Sequence, residues 1–141
     1  MILLDTNVVS EPLRSAPETR VIEWIDAQAL ETLFLSAITV AELRAGVALL
    51  PAGKRRAGLQ ENLEKQVLPL FAGRILPFDT AAARRYADLA VTARRAGRGF
   101  PIPDGTIAAI AAAHGFAVAS RDTSAFTAAG LAVIDPWTAA G

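Results

Sequence analysis

The chain has 141 residues, 52% of them hydrophobic, with a formal net charge of zero. That length and composition describe one globular domain, residues 1–141, and exclude a disordered chain, while the zero net charge gives no bulk field toward a polyanion. There is no cysteine, so disulfides, thiol nucleophiles and Cys-ligated zinc are excluded. No apolar stretch approaches the ~18 residues of a membrane span, and no signal-type segment opens the chain, so a cytoplasmic, membrane-free protein is expected.

Taken in order, Met1-Ile2-Leu3-Leu4 is an apolar run that ends in Asp5-Thr6-Asn7. A short apolar run closed by turn-prone residues predicts a buried strand, with Asp5 at the sheet rim where open α/β folds bind ligands. A short helical stretch over 8–13 follows, interrupted at Pro12, and then a helix from Pro17-Glu18 to about Gln28. Residues 32–36 predict a second strand and 37–50 the next helix. The run from 54 to 71 predicts one long amphipathic helix, with Leu59, Leu63, Val67 and Leu70 on one stripe. Residues 74–78 predict a third strand, placed at a sheet edge because Pro77 has no N–H for a ladder. Asp79 then caps a helix over 80–96, and Gly97-Arg98-Gly99 is a loop. A helix headed by Asp104 runs to His114 and stops at Gly115. Residues 116–120 predict a fourth strand, a helical turn covers 124–129, and residues 131–134 predict a fifth strand. Strands alternating with helices imply a mostly parallel sheet covered on both faces.

Several acids need a physical reason. Glu42 lies in a helix that is apolar nearly all round, so burial is expected, and a buried carboxylate demands a metal, an arginine or a cleft; an ion pair or exposure at the helix edge is the plain alternative. Asp5, Asp104 and Asp122 each fit an N-cap as well as a ligand position. Asp79 and Asp135 also stand at strand ends, and spacing alone does not separate them from Asp5 and Asp122. His114 is the single histidine, so a histidine-based triad or zinc site is a poor fit. Oxygen ligands remain, and these select hard cations such as Mg²⁺ or Mn²⁺. Two carboxylates ~5 Å apart repel by roughly 3 kcal/mol at an effective dielectric of ~20, so converging acids call for a divalent ion. Twelve of the fourteen basic residues are arginine, which suits bidentate phosphate contacts. Arg84, Arg85, Arg94, Arg95 and Arg98 are the phosphate-contact candidates; a solvated helix face is their plain alternative.

Residues 3–7 (Leu-Leu-Asp-Thr-Asn), 36–43 (Ser-Ala-Ile-Thr-Val-Ala-Glu-Leu), 103–109 (Pro-Asp-Gly-Thr-Ile-Ala-Ala) and 120–123 (Ser-Arg-Asp-Thr) resemble, in order, the acidic motifs of PIN domains. Within these the chain is similar to the VapC-type toxins and to their FitB-like branch. The resemblance implies a three-layer α/β/α fold with a five-stranded parallel sheet in the order 3-2-1-4-5, which sets Asp79 and Asp135 outward. It implies Asp5 and Asp104 as principal metal ligands, with Glu42 and Asp122 completing the pocket and Thr6 and Asn7 orienting Asp5 or a water. Many relatives carry Asn at the fourth motif and an Asp three residues on; here Asp122 and Ala125 stand instead. The implied activity is Mg²⁺- or Mn²⁺-dependent endoribonuclease, as the toxin of a toxin–antitoxin pair. The implied partners are RNA, a small ribbon-helix-helix antitoxin, operator DNA reached through that antitoxin, and a second copy in a homodimer. The alternative is a catalytically weak subunit of such a DNA-binding complex. A phosphatase using Asp5 as nucleophile would place a second Asp where Asn7 stands, and ranks below both.

Overall fold

The computed structural model describes residues 1–139. Its sheet is built from β1 (Ile2–Leu4), β2 (Leu33–Ser36), β3 (Ile75–Leu76), β4 (Ala117–Ala119) and β5 (Val133–Ile134). All pairings are parallel and the order is 3-2-1-4-5. The helices are α1 (Thr6–Ser10), α2 (Thr19–Ala27), α3 (Ala37–Ala48), α4 (Lys54–Asn62), α5 (Thr80–Arg95), α6 (Ile102–His114) and α7 (Thr123–Ala128).

Successive strand residues point to opposite faces, and the core divides accordingly. Leu4, Leu33, Leu35 and Ala119 pack with Val8, Val21, Trp24 and Leu43 on one face. Leu3 and Val118 pack with Leu89, Ile107, Ile110 and Phe126 on the other. Three layers result, with β1 and β4 as central neighbours and β3 and β5 at the edges. Among the described residues no helix is long and apolar enough to cross a membrane.

Three helices end at glycines. Gly97, Gly115 and Gly130 follow α5, α6 and α7 with φ of 79°, 69° and 87°. After α5, Gly97 N–H donates to Arg94 C=O and Arg98 N–H to Ala93 C=O, at 3.0 and 2.9 Å. These are the two bonds of a Schellman motif, which needs the left-handed conformation glycine adopts without strain.

Two expectations fail. The segment 54–71 is not one α-helix: α4 ends at Asn62, residues Leu63–Val67 form a π-helical turn, and Leu68–Phe71 a 3₁₀ turn. Pro69 is the reason, since it has no N–H to donate and its ring crowds the carbonyl four residues back. The register change turns Leu70 outward and buries Leu68 and Phe71 instead. Second, α3 is not buried all round. Only Thr39, Val40 and Leu43 are buried, Glu42 is exposed, and Leu49 is 84% exposed. The helix lies on the sheet by one narrow face, and its alanines look outward.

One buried carboxylate was not anticipated. Glu11, 3% exposed, accepts from Glu18 N–H at 3.0 Å and pairs with Arg14 at 3.2 Å. Burial pushes its pKa up, but the Glu18 amide and the Arg14 and Arg121 charges outweigh burial and hold it below the usual value. An acid with a depressed folded pKa stabilises above its unfolded pKa and loses that contribution as pH falls through the folded value. Glu11→Gln should therefore cost roughly 1–3 kcal/mol at neutral pH, with the gap to wild type closing in acid. Urea melts at pH 7 and near pH 3 measure both.

Candidate active site

Four acids lie near one another around the carboxyl ends of β1 and β4. Asp5 follows β1 directly, 5% exposed. It caps α1: its Oδ1 accepts from Thr6 N–H at 2.8 Å. Its Oδ2 accepts from the buried Ser120 hydroxyl at 2.7 Å and from the Asn7 amide at 3.4 Å. Asp122 precedes α7 but makes no side-chain cap bond. Its amide donates to Ser120 Oγ at 3.0 Å. Parallel pairing of β1 with β4 thus brings residues from opposite ends of the sequence together through one serine.

Glu42 arrives from the first half of α3. Its Oε1 accepts from the Thr6 hydroxyl at 2.7 Å, and Thr6 in turn lies 3.1 Å from the Thr39 hydroxyl. Ser36 caps α3 at Thr39 N–H and bonds the Thr39 hydroxyl at 3.2 Å. Glu42 therefore faces a hydroxyl chain rather than an arginine. Asp104 is the third residue of α6, whose N-terminus has no side-chain cap, so capping does not account for it.

The acids feel one another. Desolvation raises the pKa of Asp5, the Ser120 and Thr6 bonds oppose the rise, and the charges of Glu42 and Asp122 add to it. Desolvation also raises Asp104, followed by the charges of Asp5, Asp122 and Glu42, with Arg98 pulling the other way. Asp79 and Asp135 lie elsewhere: Asp79 caps α5, and Asp135 accepts from Trp137 N–H at 2.8 Å beyond edge strand β5.

The arginines divide. Arg98 stands 3.6 Å from Asp122. Arg94 lines a cleft with Tyr86 and Phe100, and Arg95 is exposed on the last turn of α5. Arg84 and Arg85 flank Ala112 and Ala113, eight residues along α6 from Asp104 and so roughly 12 Å away along its axis. They stand at the end of α6 away from Asp104.

A PIN domain family model matches residues 2–131. The chain belongs to the PIN domain family. It is 60% identical to "VapC ribonuclease Y4jK" of Sinorhizobium fredii, covering 97% of this chain and 98% of that one. It is 56% identical to "Toxin FitB" of Neisseria gonorrhoeae, covering 97% and 99%. The solved structure of FitAB bound to an IR36 DNA fragment superposes with a TM-score of 0.96 at 53% identity, covering 100% of this chain and 99% of that one.

Ser120, Thr39 and Ser36 were missed as parts of this PIN site. Ser120 stands in the sequence as a strand end and as the first residue of the fourth acidic motif, with no role of its own. The available signal was its place beside β1, where a hydroxyl meets the Asp5 carboxylate. Ser120→Ala should lower cleavage roughly 10–100-fold, the usual effect of removing a group that orients a ligand. Single-turnover cleavage rates check it.

Proposed function

We propose that this PIN protein is a Mg²⁺- or Mn²⁺-dependent endoribonuclease and the toxin of a toxin–antitoxin pair. The observation that carries the reading is the convergence of acids from separate elements: Asp5 and Asp122 share Ser120, Glu42 is bonded to Thr6 beside Asp5, and Asp104 enters from the first turn of α6. The similarity to a VapC ribonuclease supplies the substrate class. Among the described residues no group of three or more His, Asp or Glu side chains is arranged to hold an ion as it stands. The donor set nevertheless fits a hard cation: carboxylates and hydroxyls, with the Asp5 oxygens already aimed by Thr6, Asn7 and Ser120.

Asp5 and Asp104 would hold the ion, with Glu42 and Asp122 at its flanks. When bound, Mg²⁺ or Mn²⁺ offsets the charge of the phosphodiester and makes water more acidic. The chain's own residues do the rest. Thr6 fixes the direction of Glu42, which would accept a proton from the attacking water. Ser120 holds Asp5 and, through the Asp122 amide, the start of α7. Protons compete with the cation at Asp5 and Asp104. Both titrate above the ordinary Asp value, so Mn²⁺ affinity should fall on acidification before free aspartates protonate. Calorimetric titrations across pH 4–7.5 (roughly the span between these regimes) give the profile.

The direct experiment incubates the purified chain with RNA, with and without Mg²⁺ and with EDTA. Cleavage only with the cation supports the reading; equal cleavage in EDTA overturns its metal dependence. A second reading, in which the chain acts chiefly in an antitoxin complex on operator DNA, is favoured by its likeness to the DNA-bound FitAB structure. There the chain would contribute dimerisation and the antitoxin the DNA contacts. A cleft of about 310 Å³ beside Thr6 and Glu42, walled by Leu13, Leu43, Val47 and Leu59, is the apolar surface next to the acids for such a partner. Tight operator binding by the chain alone would contradict that division.

A further inference from the structure

We propose that Arg98 is the resident counter-ion of the acidic site: its guanidinium holds the cation's place in the free protein, yields to the divalent ion, and then pairs with RNA phosphate. This rests on the reading of the acids as a cation site.

Among the ion pairs of the described residues, Arg98–Asp122 alone involves one of the four acids. Arg44–Glu64, Lys65–Glu61 and Arg14–Glu11 lie elsewhere. Arg98 also lies in the loop that leads from α5 into α6, whose first turn carries Asp104. It therefore stands beside two elements that bring acids to the site, pairing with the one that heads α7. Arg121 is not free for this role, because its guanidinium lies 5.1 Å from the Trp137 ring centre.

The backbone is built for such an exchange. The Schellman motif pins Arg98 by its own N–H to Ala93 C=O, so the main chain stays while the side chain swings. At 3.6 Å, with both side chains nearly half exposed, the contact is loose. Pairs of this kind are weak and easily displaced, whereas a divalent ion among several carboxylates is held more strongly. Once displaced, the guanidinium remains tethered beside the site and presents the planar fork that suits phosphate.

The test titrates Mn²⁺ alone into metal-free full-length protein by calorimetry, using wild type, Arg98→Ala, Arg98→Lys and Asp5→Asn. Arg98→Ala should bind Mn²⁺ about fivefold more tightly, ~1 kcal/mol at 1.4 kcal/mol per decade, and Arg98→Lys should stay near wild type. In steady-state cleavage the alanine variant should show a raised KM for RNA. Unchanged or weaker Mn²⁺ binding by Arg98→Ala, with wild-type binding intact and lost in Asp5→Asn, overturns the inference and leaves the cation site standing. If wild type binds no Mn²⁺ that Asp5→Asn abolishes, the cation site itself fails and the inference with it.

Discussion

Asp5→Asn should reduce RNA cleavage by roughly 10²–10³-fold, a loss of about 3–4 kcal/mol of transition-state stabilisation. The substitution is nearly isosteric. The amide oxygen still accepts from Thr6 N–H, which closes the first turn of α1. What disappears is the negative charge, and a nitrogen now faces the Ser120 hydroxyl and the Asn7 amide where an oxygen accepted from both. The fold should not suffer in proportion. Asp5 has a raised folded pKa, first because it is buried. Such an acid favours the folded state below its unfolded pKa and opposes it as pH rises through the folded value. At neutral pH the wild-type charge is a strain on the metal-free protein, and its removal offsets the hydrogen bonds the variant forfeits, so the variant should melt close to wild type. Cleavage assays beside thermal melts in EDTA separate the two effects. A variant that cleaves normally contradicts the role of Asp5, and one that loses activity only because it unfolds contradicts the electrostatic account.

Gly105→Ala should slow cleavage roughly 10–100-fold while changing stability little. A Cβ at Gly105 would stand 2.8 Å from Tyr86 Cε2 and 3.0 Å from Phe100 Cε2. Those two rings lie within 15° of parallel, 6.1 Å between centres, and Phe78 packs edge-on against Tyr86. The stacking couples the two rings, so the added methyl either displaces the pair or pushes back on α6. Overpacking of this kind costs about 1–3 kcal/mol. Alanine's helix propensity returns about 1 kcal/mol, so the net change is modest. To the extent that the first turn of α6 gives way, it carries Asp104 with it, and a displacement near 1 Å in a reacting site costs up to ~10²-fold. Tyr86→Ala opens the space. The double variant should recover much of the lost rate, giving a coupling that additive effects do not produce. Equal losses in the single and double variants would show that the rings do not set the position of Asp104.

The parts of this molecule legible in its sequence are those governed by short-range rules. Apolar runs closed by Asp5 or Ser36, the Asp79 cap and the glycine stops after α5, α6 and α7 each carry their own local cause. Pro77 marked β3 as an edge strand for the same reason. The π and 3₁₀ turns after Asn62 were also written locally, in Pro69, but the apolar stripe on either side of it masked the break. Glu42 shows a different limit. Its helix looked buried because hydrophobicity counts residues and not neighbours, and nothing in one chain tells how much of a helix face another layer will cover. Ser120 and Thr39 lie further out of reach. Their roles come from β1 lying between β2 and β4, a long-range fact that turned these two hydroxyl residues into part of the scaffold of Asp5 and Glu42. Strand order reached the sequence reading only through the PIN resemblance, and it is what separated Asp5 and Asp122 from Asp79 and Asp135.

The most direct measurement is the anomalous difference map of a crystal of the wild-type chain soaked in Mn²⁺. A peak bound by Asp5 and Asp104, with Arg98 turned away from Asp122, is the predicted result. A saturated crystal with no peak between those two carboxylates, or with Mn²⁺ held only elsewhere, would contradict the account.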